Sequence, residues 1–106
     1  MDVDLIRRLA AKEAVAFKKH TFVRMLQRNI RSDEIQQALN QGIIVEEYPK
    51  DKPLPSCLIL GYTQNKRPLH MVAALDEVKK FLWVITVYEP SLEEWEEGFE
   101  KRRNKL

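Results

Sequence analysis

The sequence predicts an α+β domain in which helices cover one face of a small antiparallel sheet. Apolar residues recur at helical spacing as far as Gly42, and short β-branched runs bounded by turn residues take over from Ile43. The capping box Ser91-Leu92-Glu93-Glu94, directly after Pro90, predicts a closing helix.

Asp2 or Asp4 is placed to cap a first helix running to about Lys19, with Leu5, Ile6, Leu9, Ala10, Val15 and Ala16 as an imperfect apolar stripe. In a second helix Phe22, Val23, Met25, Leu26 and Ile30 cluster on one side, and His20, Arg24 and Arg28 centre on nearly the opposite side. Ser32 can cap a third helix whose Ile35, Ala38 and Leu39 face inward, and Gly42 is positioned to end it in a left-handed conformation.

Strands are predicted over 43–48, 57–63, 69–75 and 81–88. Pro49, Pro53 and Pro55 make the intervening stretch an irregular surface loop. The short connectors at 64–67 and 76–80 favour hairpins over crossovers, so the expected sheet is a four-stranded antiparallel meander. The closing helix would present Leu92, Trp95 and Phe99, with glutamates first and the basic Lys101 to Lys105 last, an order that suits the helix dipole. Trp83 and Trp95 occupy periodic apolar positions, which predicts core residues rather than base-stacking platforms.

The 106 residues suit a single domain, 1–106, able to bury a core without disulfide or metal staples. No apolar run approaches the ~20 residues that cross a bilayer, and the first residues lack the order of a secretory signal. A cytoplasmic location without membrane partners is expected. The lone Cys57 has no partner at disulfide or metal-ligand spacing and reads as a small core residue; no metal site or cofactor is expected.

A net charge of +2 is too small to argue for nucleic acid, but its distribution is uneven. Arg7, Arg8, Lys12, Lys18, Lys19, Arg24, Arg28 and Arg31 face a single acid, Glu13, over 7–31, whereas 89–100 is strongly acidic. Such polarity could bind a polyanion at the basic end, or could be no more than two solvated helices.

The only two histidines each sit near arginine, in His20-x3-Arg24-x3-Arg28 and in Arg67-Pro68-Leu69-His70. Residues four apart are neighbours on a helix, so the first set forms one stripe. Strand alternation places His70 with Val72 and Ala74, and Thr86 and Tyr88 with Leu82 and Val84. In a simple hairpin register His70, Thr86 and Tyr88 would line one end of one sheet face. Imidazoles that exchange protons near neutral pH, beside guanidiniums that hold phosphate, suit metal-independent RNA cleavage. One group would take the 2′-hydroxyl proton, another would protonate the departing 5′-oxygen, and arginine would stabilise the phosphoryl charge. Each residue also has an ordinary reading, as a solvated helix face or a strand end with its ring packed and its hydroxyl wet.

In combination, His20-x3-Arg24-x3-Arg28-x-Ile30, Ala38-Leu39-x2-Gly42 with Tyr48-Pro49, Arg67-Pro68-Leu69-His70-x-Val72 and Thr86-Val87-Tyr88-x-Pro90 resemble the bacterial and archaeal family known as domain of unknown function 4258. The resemblance covers about Phe17 to Trp95 and leaves 1–16 as a helical extension. That family looks like the small RelE-type ribonuclease toxins, two helices followed by an antiparallel sheet, often encoded beside zinc-finger antitoxin-like proteins. The resemblance therefore implies a RelE-like fold, a metal-independent endoribonuclease acting on mRNA, and RNA and an antitoxin as partners. It makes His20, Arg24, His70, Thr86 and Tyr88 the candidate catalytic residues and Arg28 and Arg67 the candidate substrate-binding ones. A second hypothesis is a non-catalytic regulatory domain binding RNA or an acidic protein through the same stripe. A third is an interaction protein that self-associates through Leu5, Leu9 and Val15 of the first helix.

Overall fold

The computed structural model describes residues 1–104. Asp2 accepts from the backbone N–H groups of Asp4 at 2.9 Å and Leu5 at 3.2 Å, starting helix α1 (Val3–Ala11) as an N-cap does. The helix stops well before Lys19. Glu13 turns left-handed (φ 57°), and the N–H groups of Glu13 and Ala14 return to the carbonyls of Ala10 and Leu9, both at 2.9 Å, a Schellman closure. Val15, Ala16 and Phe17, expected to continue the first helix, instead form strand β1 (Val15–Phe17).

Helix α2 (Lys19–Gln27) ends the same way at Asn29 (φ 55°), with Ile30 N–H returning to the Met25 carbonyl at 2.9 Å. Helix α3 (Ser32–Asn40) begins at Ser32 rather than being capped by it: Arg31 holds the cap position, and the Glu34 carboxylate accepts from its N–H at 3.0 Å. Four strands follow, β2 (Ile43–Tyr48), β3 (Ser56–Tyr62), β4 (Pro68–Asp76) and β5 (Phe81–Tyr88).

Neighbouring pairs from β2 to β5 are antiparallel, but the four-stranded antiparallel sheet expected from the sequence is corrected by β1, which pairs in parallel with β5. The sheet is five-stranded and mixed, in the order β1-β5-β4-β3-β2. Ile6, Leu9, Ile35 and Leu39 pack from the helices against Ile59, Met71, Val84 and Val87 of one sheet face. Helix α3 approaches β3 so closely that a Cβ on Gly61 would lie 2.0 Å from the Ala38 carbonyl oxygen. Gly42 is not left-handed, as a helix-ending role would require; a Cβ there would meet Ile59 Cγ2 at 2.5 Å, so close packing is what asks for glycine.

The expected C-terminal helix is absent. After one turn at Ser91, residues 95 and 102 form a bridge, and Glu96 N–H bonds the Lys101 carbonyl (2.8 Å) while Arg103 N–H bonds that of Glu94 (2.9 Å). Gly98 (φ 89°) and Phe99 (φ 58°) are left-handed, which no helix tolerates. The local capping signal is overridden by tertiary anchors, with Trp95 buried against the sheet. Lys105, the last residue of the basic run, lies outside the described residues. Among the described residues no helix is long and apolar enough to cross a membrane.

Candidate functional site

The β4–β5 register sets His70 opposite Tyr88 and Val72 opposite Thr86, then slips, so that Ala73 pairs with Val84. The slip leaves Ile85 as a bulge residue. It also reverses the alternation: Leu82 and Val84 lie in the core beneath the helices, not beside Thr86 and Tyr88 as a regular strand would have them.

β1 ends at Phe17, opposite Val84, so beyond that point β5 has no strand neighbour on the side away from β4. Helix α2 takes its place. The buried Thr21 hydroxyl donates to the Ile85 carbonyl at 2.9 Å, and Arg28 Nη1 donates to that of Val87 at 2.7 Å. These side chains satisfy the edge carbonyls a further strand would have bonded. Arg28 Nη1 also lies 3.4 Å from Thr86 Oγ1.

This geometry explains why α2 buries Thr21 and Met25 while Phe22, Val23 and Leu26, expected to pack inward, are exposed (47%, 46% and 83%). The helix leans its Thr21 side on the β5 edge instead of laying a broad apolar face on the sheet.

His70 is fully buried. Its Nε2 lies 2.8 Å from the Phe99 carbonyl and its Nδ1 3.2 Å from the Tyr88 hydroxyl. A carbonyl can only accept, so Nε2 carries the proton and Nδ1 accepts from Tyr88. Trp95 stacks edge-on to the imidazole at 4.5 Å. Burial is the main reason the imidazole pKa falls below its ordinary value, with the Arg102 charge adding to it; burial likewise pushes the Tyr88 phenol up.

The cover over His70 is fastened by Arg102. Its Nε and Nη2 donate to Glu46 at 2.7 and 3.0 Å, and its guanidinium lies 4.6 Å over the Trp95 ring. Tyr48 donates to the same carboxylate at 2.7 Å, and desolvation with that bond raises its pKa to about 12. None of Glu46, Tyr48 and Arg102 is among the candidate residues read from the sequence, where Tyr48 figures only in the family pattern and Arg102 only in the basic run. A further signal was the polar pair Glu46 and Tyr48, two apart and hence on one face of a strand.

Arg67 bonds the carbonyls of Asn29 (2.8 Å) and Arg28 (3.2 Å) at the end of α2, and pairs with Glu89 (2.6 Å) and Glu34 (3.4 Å). It ties the α2–α3 turn to the end of β5. Arg24 is exposed and bonds only to Gln27 (3.2 Å) among the contacts described.

No described contact joins His20 to His70. His20 borders a cavity of about 340 Å³ on the sheet face away from the helices, whose floor is Val72, Ala74, Trp83 and Ile85. Trp83, expected in the core, is only half-buried, and Lys18 Nζ lies 4.4 Å from its ring centroid. Arg28 with Thr86 and Tyr88 with His70 thus form two separate pairs along β5, while His20 and Arg24 continue the exposed face of α2 and Arg67 lies in an ion-pair clamp.

Among the described residues, no group of three or more His, Cys, Asp or Glu side chains is arranged to hold a metal ion. Cys57 is buried in the core, and its thiol is pushed up to about 11 by burial.

No curated protein and no solved structure matches the chain. The family model described as a domain of unknown function (DUF4258) matches residues 17–89, from the end of β1 to just past Tyr88, and the protein belongs to that family.

Proposed function

We propose that the protein is a metal-independent endoribonuclease of RelE-like type, the toxin half of a toxin–antitoxin pair acting in the cytoplasm as a single domain. The observation that carries this reading is the placement of two pairs, Arg28–Thr86 and Tyr88–His70, two register steps apart along β5. It brings a guanidinium, a group able to hold phosphate, to the strand that carries the hydroxyl–imidazole pair. In the reaction, the RNA 2′-oxygen attacks the adjacent phosphorus and the bond to the 5′-oxygen breaks, giving a 2′,3′-cyclic phosphate. His70 Nδ1, relayed through Tyr88, takes the 2′-hydroxyl proton, His20 or His70 returns one to the 5′-oxygen, and Arg28 and Arg24 stabilise the phosphoryl charge. Arg67 supports the site by holding the end of α2. An antitoxin would cover the exposed Phe22, Val23 and Leu26 beside the basic stripe.

The second reading is a non-catalytic RNA-binding domain. It is favoured by the full burial of His70 with both ring nitrogens engaged. Defined RNA incubated with wild type, Tyr88→Phe and His20→Ala in the presence of EDTA separates the two. The enzyme reading expects chelator-resistant cuts with cyclic phosphate ends, lost in a Tyr88→Phe protein whose circular dichroism is unchanged. Salt-sensitive RNA binding without products would leave the binding domain standing alone.

A further inference from the structure

We infer that the cavity between His20 and Trp83 is a nucleotide pocket, which holds one unstacked base against Trp83 and its phosphate at the cationic rim. The inference rests on the RNA reading and names the substrate moiety that this part of the molecule takes.

Three observations converge. The floor is apolar and carries an aromatic ring, Trp83, on a sheet face that no helix covers. A partly buried indole lining a pocket of about 340 Å³ offers a π-face on which any base can stack. The rim carries two cations, Lys18 and Lys52, with the His20 imidazole beside them, all exposed. Its one carboxylate, Asp51, accepts from the Ser56 hydroxyl, so one acid stands against the two lysines. An apolar slot with a positive rim fits an amphipathic anion whose flat part is uncharged, which describes a nucleotide.

Continuity with α2 extends the argument. His20 opens the helical stripe that continues through Arg24 and Arg28, so a strand whose base enters the pocket has successive phosphates along that stripe. Lys18 now lies over the Trp83 ring. An incoming base takes over that face, and the flexible ammonium swings to the phosphate.

The two tryptophans provide the test. Trp83 lines the pocket, whereas Trp95 is buried at the His70 end beneath Arg102, so their indole N–H resonances report separately in the full-length protein. Titration with 5′-AMP should shift the Trp83 signal and leave that of Trp95 in place. Lys18→Glu, at an exposed position, should weaken this binding about tenfold, while inorganic phosphate should not reproduce the shift. A single-stranded oligoribonucleotide should bind more tightly than 5′-AMP and be weakened by Arg24→Glu, whereas 5′-AMP should not. If equal affinities and indifference to Arg24→Glu are found, the pocket takes free nucleotides and its RNA role is overturned. An oligoribonucleotide that binds without moving Trp83 overturns the pocket and spares the RNA reading. Absence of binding by both ligands overturns both, and a shift produced equally by phosphate reduces the pocket to an anion site and overturns the base contact.

Discussion

The imidazole of His70 donates from Nε2 to the carbonyl of Phe99 at 2.8 Å, and this bond joins the family domain to the segment that follows it. It fixes the neutral tautomer and leaves Nδ1 to accept from Tyr88. The hydroxyl–imidazole pair is thus assembled and covered in one conformation, and any chemistry at His70 needs the 91–103 segment to lift.

A pH dependence of stability follows. Burial holds the His70 pKa below its ordinary 6.5, so the folded protein keeps the ring neutral while the unfolded chain protonates it. The stabilisation is complete above about pH 6.5 and is lost as pH falls through the depressed folded value. Urea midpoints at about pH 7.5 and 5.5 should fall more in wild type than in His70→Gln. Equal falls would show that His70 is not the group responsible.

Arg102→Ala should loosen the cover without unfolding the domain. The Arg102 side chain is 56% exposed and its partner Glu46 29%, so the pair contributes about 1 kcal/mol or less. Hydrogen exchange should quicken at the Glu96 and Arg103 amides, which close this segment, and stay unchanged in β3 and β4. Uniform quickening would mean that the segment is an inseparable part of the core.

Gly61→Ala should cost about 3 kcal/mol, because the new Cβ meets the Ala38 backbone oxygen and neither element can yield cheaply. Gly42→Ala should cost less, since its nearest obstacle is the Ile59 side chain. Chemical denaturation of both variants checks the order, and a reversed order would contradict the described seat of α3.

Thr21→Val keeps the shape of a fully buried side chain but leaves the Ile85 carbonyl without its hydroxyl donor. A loss of about 1–2 kcal/mol is expected by thermal or urea unfolding. An unchanged midpoint would show that α2 does not stabilise the β5 edge through this bond.

Much of this architecture is legible in the sequence, and the failures share a cause. Short apolar, β-branched runs and clustered prolines delimit β2 to β5, and an aspartate at position 2 or 4 announces α1. Val15-Ala16-Phe17 is too short to display a period, and its partner Leu82–Val84 is far along the chain, so β1 was hidden. At Ser91 the capping box is a true local preference that loses to Trp95 on His70 and Arg102 on Glu46. Alternation correctly brought His70, Thr86 and Tyr88 to one face, but the bulge at Ile85 changed their neighbours. The cover over His70 and the edge-pairing roles of Thr21 and Arg28 depend on long-range contacts that no local pattern encodes.

Cleavage of defined RNA in EDTA by wild type, Arg102→Ala and Tyr88→Phe tests the central claim most directly. Arg102→Ala should cut faster than wild type at the same positions, and folded Tyr88→Phe should not cut. RNA bound by all three proteins and cut by none, even with the cover loosened, would contradict the assignment of a ribonuclease site to His70 and Tyr88.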